Sequence, residues 1–212
     1  RSIKKIIKTV MISDLKKIDY DADLVINGFI GFKNMKTTNR YGTTCFIGPK
    51  YQILNKNYEK KIKQVTKKYF FLVTLGGFDE KKIIDIVCNQ LIQHLDKIKI
   101  KIILGPATKK SKLIKNLESK NFKNLEVVNK VDTLFKEIPQ ANFGICAGGI
   151  TSYEFASLGV PTIILCQYKH QVQTAKEWEK YGVGLNLGMP NSSFEQNFQK
   201  TIQKILDGEI VI

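Results

Sequence analysis

Phe143-Gly144-Ile145-Cys146-Ala147-Gly148-Gly149-Ile150-Thr151-Ser152-Tyr153-Glu154 is the stretch from which the rest of the chain can be read. An apolar run ends, two glycines turn, and Thr151 opens a helical stretch to Leu158, with Gly159 as its stop. Residues 161–166 are again short and apolar, the pattern of a strand buried on both faces. Strand, helix, strand in that order is a right-handed βαβ unit of a parallel sheet.

The same alternation extends both ways. Toward the N-terminus, residues 69–75 read as a strand closed by Gly76-Gly77. Residues 80–95 carry a helical stripe of Ile83, Ile84, Val87, Leu91 and Leu95. A strand over 98–104 ends at Gly105-Pro106, and a polar helix over 109–119 turns Leu113, Ile114 and Leu117 inward. A short strand over 125–128 follows, then a helix capped by Asp132 and running through Ile138 until Pro139 stops it. Toward the C-terminus, a helix over 171–181 ends at Gly182, a strand covers 185–187, and Ser192 caps a last helix to Leu206. The fold class is α/β: a Rossmann-like parallel sheet flanked by helices, over residues 67–212.

Residues 1–66 read differently. Short strands are expected over 6–12, 23–26 and 43–47 with no helix between them. A polar, glycine-containing loop fills 28–42, and a lysine-rich connection runs over 57–68. This segment reads as the C-terminal remnant of a further α/β domain plus its linker. The alternative is a β-extension of the main domain. The first residue is Arg rather than Met, so a processed or incomplete N-terminus is expected.

Composition narrows the function. The 212 residues hold 34 basic and 19 acidic side chains, a formal charge of +15. Only Arg1 and Arg40 are arginine, and the lysines are spread along the chain. Nucleic-acid readers favour the planar arginine fork, so the charge reads as solvated surface or as steering toward an anionic ligand such as a nucleotide. No apolar run approaches the ~20 residues of a membrane span, and from the residues at the start no secretory signal is expected. Cys45, Cys88, Cys146 and Cys166 form no CxxC pair, and the only histidines are His94 and His170. A zinc site is therefore not expected, and the thiols read as buried and free in a reducing, cytoplasmic setting. No cofactor is called for, and P-loop, HExxH and GxGxxG patterns are absent.

The chemistry concentrates at strand ends. Free amides at a helix start suit a phosphate, and Gly148-Gly149 lets it approach the backbone, with Thr151 and Ser152 adding hydroxyls. Glu154, read here in the first helical turn, is an odd neighbour for phosphate and a better acceptor for the two hydroxyls of a ribose. Its alternative role is compensation of the helix dipole. Gly76-Gly77 turns on the same carboxyl edge, where ligands of parallel sheets bind; the alternative is a tight turn with Asp79 as helix cap. His170 and Gln171 open the helix after the next strand and could donate to a diphosphate or a sugar hydroxyl. A lone His there is as readily a cap or a surface residue. Val131-Asp132 brings backbone groups to the same edge, where they could meet a base.

Five segments in one order resemble a known family: ADLVIN (22–27), GPKYQIL (48–54), LVTLGGFD (72–79), ANFGICAGGITSYEFASLGVPTIIL (141–165) and HQVQTAKEWEKYGVG (170–184). The chain resembles the UDP-sugar hydrolases of the pseudaminic acid pathway and their spore-coat polysaccharide relatives, within the GT-B glycosyltransferase-like proteins. The resemblance implies two Rossmann-like domains facing across a cleft, the second holding UDP. It implies diphosphate on the amides of Gly149, Ile150, Thr151 and Ser152, ribose on Glu154, uracil near Val131, and His170 and Gln171 toward the diphosphate or sugar. It implies metal-independent, inverting hydrolysis of UDP-2,4-diacetamido-2,4,6-trideoxy-β-L-altrose. The family's GxGHxxR loop, with its essential His, has no match here. The catalytic base is therefore unassigned, and the chain alone is expected to be inactive, its partner a missing N-terminal domain or a separate chain. A UDP-sugar transferase with the same donor site, and a non-catalytic nucleotide-sugar-binding subunit, are the alternatives.

Overall fold

A computed structural model of the chain describes residues 7–32, 37–59 and 69–210. The chain divides into two compact units, 1–55 and 56–212. Each carries its own sheet.

The first unit is a three-stranded sheet of β1 (Val10–Ser13), β2 (Leu24–Asn27) and β3 (Thr44–Ile47), in that order. Both pairings are parallel, Val10 opposite Leu24 and Leu24 opposite Thr44. Among the described residues the connections contain no α-helix. Two buried asparagines organise them instead. The Asn27 amide donates to Leu15 O and Lys17 O, both at 2.8 Å, and Asn39 does the same for Ile18 O and Tyr20 O. Val25, Cys45 and Ile47 form a small core with Ile18, Tyr20 and Phe32 packed on it.

The second unit opens with a single 3-10 turn, Lys56–Glu59. Most of the expected lysine-rich connection, residues 60–68, lies outside the described residues. The elements that follow are β4 (Tyr69–Thr74), α1 (Ile83–Leu91), β5 (Ile98–Ile103), α2 (Lys112–Ser119), β6 (Leu125–Val128), β7 (Phe143–Cys146), α3 (Ile150–Ser157), β8 (Thr162–Leu165), α4 (Lys169–Lys180), β9 (Gly184–Gly188) and α5 (Phe194–Leu206). All pairings are parallel in the order β6-β5-β4-β7-β8-β9. The chain thus moves outward through three strands, returns to the middle, and moves outward the other way. The reversal lies between β4 and β7.

Alternate residues of each strand feed the two faces. On one face Phe71, Val73, Ile100, Ile102, Ile145 and Ile163 meet Val87 and Leu91 of α1, Ile114 of α2, and Phe198 and Ile202 of α5. On the other, Phe155 of α3 lies directly over Gly144: a Cβ at that position would fall 2.4 Å from the ring. Lys101 points to this second face and pairs with Glu126 at 3.0 Å and Glu137 at 2.9 Å. Burial pulls its ammonium down, but the two carboxylates outweigh that and hold it above the usual lysine value. The four cysteines are buried and free. Burial pushes the Cys166 thiol up to about 12, so it is neutral and inert.

Several local expectations give way. No helix runs from Asp132 through Ile138; two single 3-10 turns, Leu134–Lys136 and Ile138–Gln140, stand there, the first capped by the Thr133 hydroxyl. Pro139 has no N–H to give, and the run before it is too short to sustain an α-helix. The helix expected over 80–95 starts late, at Ile83, because Lys82 is left-handed (φ 52°). Asp79 still caps it from a distance, accepting from the Ile83 and Ile84 amides at 2.9 Å. Burial raises its carboxyl, and those two amides pull back. The last helix follows Ser193 rather than Ser192 and has no side-chain cap. No helix among the described residues is long and apolar enough to cross a membrane.

Candidate functional site

The reversal of strand order puts the loops after β4 and β7 side by side at the carboxyl edge, with no helix crossing between them. In open parallel sheets this crevice is where ligands bind. Both loops are the glycine pairs. Gly76 has φ 82°, a conformation side chains resist, and a Cβ there would sit 3.8 Å from the Thr151 hydroxyl. The two turns therefore face each other. Gly148 packs so closely on α4 that a Cβ would lie 2.8 Å from Gln171 O.

α3 begins immediately after Gly149, which provides no side-chain cap. The first amides of the helix are thus left for an external acceptor. Ile150 is exposed, and Thr151 is half-buried with its hydroxyl toward the Gly76 turn. Ser152 does not: it is buried, donates to Gly149 O at 2.7 Å and accepts from the Trp178 indole at 2.9 Å. Its amide also bonds Gly149 O. Ser152 therefore braces the turn from behind and offers no hydroxyl to a ligand.

Glu154 lies beyond the first turn of α3, which holds no acidic residue. Dipole compensation falls off within that turn, so this alternative loses its basis. The carboxyl is half-buried, and burial raises it above the usual range while the neighbouring Tyr58 phenol opposes the rise.

The start of α4 closes the third side. Gln171 is buried, and its Oε1 accepts from the amides of Gln167 at 2.7 Å and Tyr168 at 3.4 Å. Its Nε2 end faces Gly149, 3.9 Å from where a Cβ would stand. His170 is exposed and stacked on Tyr168, ring centroids 5.7 Å apart. Val131 is half-buried in the loop after β6, on the same edge. His94 ends the turn after α1, just before β5 begins, and so lies at the opposite edge.

Two residues of the site have no signal in the sequence. Gln167 is buried at the end of β8, and its amide donates to Leu75 O at 3.0 Å and Phe78 O at 2.9 Å. It ties β8 to the Gly76-Gly77 turn across 92 residues of chain. Tyr58, in the turn before β4, packs edge-on against Phe135 with centroids 5.7 Å apart. Neither contact has a periodicity that local reading could find.

A cavity of about 450 Å³ opens nearby between the start of α1 and the β5–α2 loop, lined by Phe78, Asp79, Lys82, Thr108 and Ser111 among others. It shares no residue with the cradle, and Asp79 and Ser111 are already bonded within the fold. In the first unit, Asp19-Tyr20-Asp21-Ala22-Asp23 has the D-x-D spacing of a metal–nucleotide motif. Asp19 accepts from the Arg40 amide and Asp23 from the Thr9 amide. No group of three or more His, Cys, Asp and Glu among the described residues could hold a metal ion.

Residues 53–209 match the family described as glycosyltransferase family 28 C-terminal domain. Among curated proteins, a spore coat polysaccharide biosynthesis protein, SpsG, of Bacillus subtilis is 34% identical over 82% of this chain and 52% of its own length. An uncharacterized protein of Methanocaldococcus jannaschii is 25% identical over 75% of this chain and 35% of its own. The chain thus spans about half or less of the curated relatives it matches. Among solved structures, MurG of Acinetobacter baumannii superposes with a TM-score of 0.61 at 16% identity, covering 95% of this chain and 60% of MurG. At that identity the likeness shows the fold, which is that of GT-B glycosyltransferases.

Proposed function

The chain belongs to the glycosyltransferase family 28 C-terminal-domain family, and from that premise we propose that it is the UDP-binding half of a cytoplasmic UDP-sugar hydrolase of the pseudaminic, or more broadly nonulosonic, acid type. The observation that carries this reading is the pair of facing glycine turns at the strand reversal, with the uncapped start of α3 between them and Glu154 just beyond. In this reading the diphosphate rests on the amides of Ile150 and Thr151 and against Gly76-Gly77. The Gln171 amide approaches from α4, Glu154 receives the ribose hydroxyls, and Val131 borders the base.

The cradle would act on the leaving group. Water attacks the anomeric carbon from the face opposite UDP, the carbon–oxygen bond to the β-phosphate breaks, and UDP departs with the bonding pair. Helix-terminal amides already aimed at that charge lower the barrier without reorganising. The proton of the attacking water goes to a base in the facing half, where the resemblance puts a His. The edge strand β1 supports a missing half: Val10, Met11 and Ile12 are 56%, 37% and 59% exposed. Further strands, from the same polypeptide or a partner chain, would cover them.

Transfer to an acceptor other than water is the second reading, favoured by the family's own description. Both share the donor site, which calorimetric titration tests first. UDP should bind and CMP and NAD should not, and Glu154→Ala should weaken UDP about tenfold, ~1.4 kcal/mol. Equal binding of UDP and CMP, or no effect of the substitution, would remove the site assignment. With the complete enzyme in ¹⁸O-water, label in the free sugar supports hydrolysis. Unlabelled sugar joined to an acceptor supports transfer.

A further inference from the structure

We infer that Tyr58 is a positioning residue for the nucleoside subsite: its phenol holds the Glu154 carboxylate toward the two ribose hydroxyls, and so sets a preference for ribonucleotides. The inference rests on the reading of Glu154 as the ribose acceptor.

Tyr58 is 5% exposed, and its ring is fixed against Phe135 at an interplanar angle of 84°. Its hydroxyl is buried and has no hydrogen-bond partner of ordinary geometry. Such a group carries a desolvation cost. A phenylalanine would fill the same space without it. The hydroxyl therefore needs a role outside packing, and its surroundings narrow the choice. The Lys56–Glu59 turn that carries Tyr58 packs against α3, the helix of Glu154, and the groups near the hydroxyl are the Glu154 carboxylate and the Thr133 hydroxyl, which already accepts from the Phe135 amide. Glu154 thus has a buried donor poised beside it.

The chemistry agrees. Burial, then the Glu154 charge, push the phenol well up, so it keeps its proton and can only donate to a carboxylate. A carboxylate has about four lone-pair positions. One taken by the phenol leaves the others for the 2′ and 3′ hydroxyls and stops the group from rotating away. The donor also stabilises the charged form that burial opposes. Tyr58 touches the ligand only through Glu154.

The test compares UDP with 2′,3′-dideoxy-UDP on the full chain. Tyr58→Phe keeps the ring and removes a buried, unpartnered hydroxyl, so the melting temperature should hold or rise. UDP affinity should fall five- to tenfold, while dideoxy-UDP affinity should not change. Added to Glu154→Gln, it should cost nothing more. Equal weakening of both ligands would mean that Tyr58 serves structure alone, and overturns the inference. Unchanged UDP affinity in Tyr58→Phe, with Glu154→Gln still reducing it, overturns the inference and leaves the ribose reading standing. A UDP to dideoxy-UDP ratio that Glu154→Gln does not alter overturns both.

Discussion

The two sheets of this chain are built on one rule and end in opposite conditions. Both are wholly parallel. In the six-stranded sheet, helices return the chain between strands and cover both faces, so β8 is buried along its length. In the three-stranded sheet, the connections among the described residues contain no helix, and β1 is exposed at its first three residues. Parallel sheets are stable where both faces are covered. The difference teaches that the six-stranded sheet is complete in its layers and can carry a binding edge. The three-stranded sheet presents apolar surface that matches a further layer.

Substitutions should separate the two. The largest effect belongs to the covered sheet: Phe155→Ala, which empties the space over Gly144, should cost about 3–5 kcal/mol in chemical denaturation. A loss under 1 kcal/mol would mean that α3 is not held by that ring, and the contrast would weaken.

A smaller effect is expected at the binding edge. The folded Glu154 carboxyl is raised, by burial first. A raised acid contributes its stability below its unfolded value and loses it as pH rises through the folded value. Glu154→Gln should therefore raise the melting temperature at pH 7, and the gap should close as pH falls through the carboxylate range. The Tyr58 and Cys146 side chains that face Glu154 stay neutral throughout that range. A gain over the wild type no larger at pH 7 than at pH 3 would show that the site stores no such strain. The smallest effect falls on the open sheet: Ile12→Thr should change stability by no more than about 0.5 kcal/mol, and it should reduce self-association in light scattering. A large destabilisation would mean that β1 is covered in solution.

The alternating pattern from β4 to α5 was legible because buried parallel strands are short apolar runs and their helices carry a 3.6-residue stripe. The glycine turns were legible for a similar reason: tight turns and uncapped helix starts require glycine locally. Boundaries were less so. α1 begins late because Lys82 is left-handed, and the segment after Asp132 makes 3-10 turns because Pro139 and its short length deny it a helix.

What the amino-acid sequence by itself determined is the order of strands, helices and glycine turns, since period and backbone freedom are properties of neighbouring residues. Only the tertiary structure decided which groups meet at the edge. It turned Ser152 inward to Gly149 and Trp178, sent Gln167 to the turn after β4, and set Tyr58 beside Glu154. All of these pairings but the Ser152–Gly149 bond join residues far apart in the chain. The Gln167 bonds depend on the strand reversal that brings β4 against β7, and no local pattern encodes that adjacency.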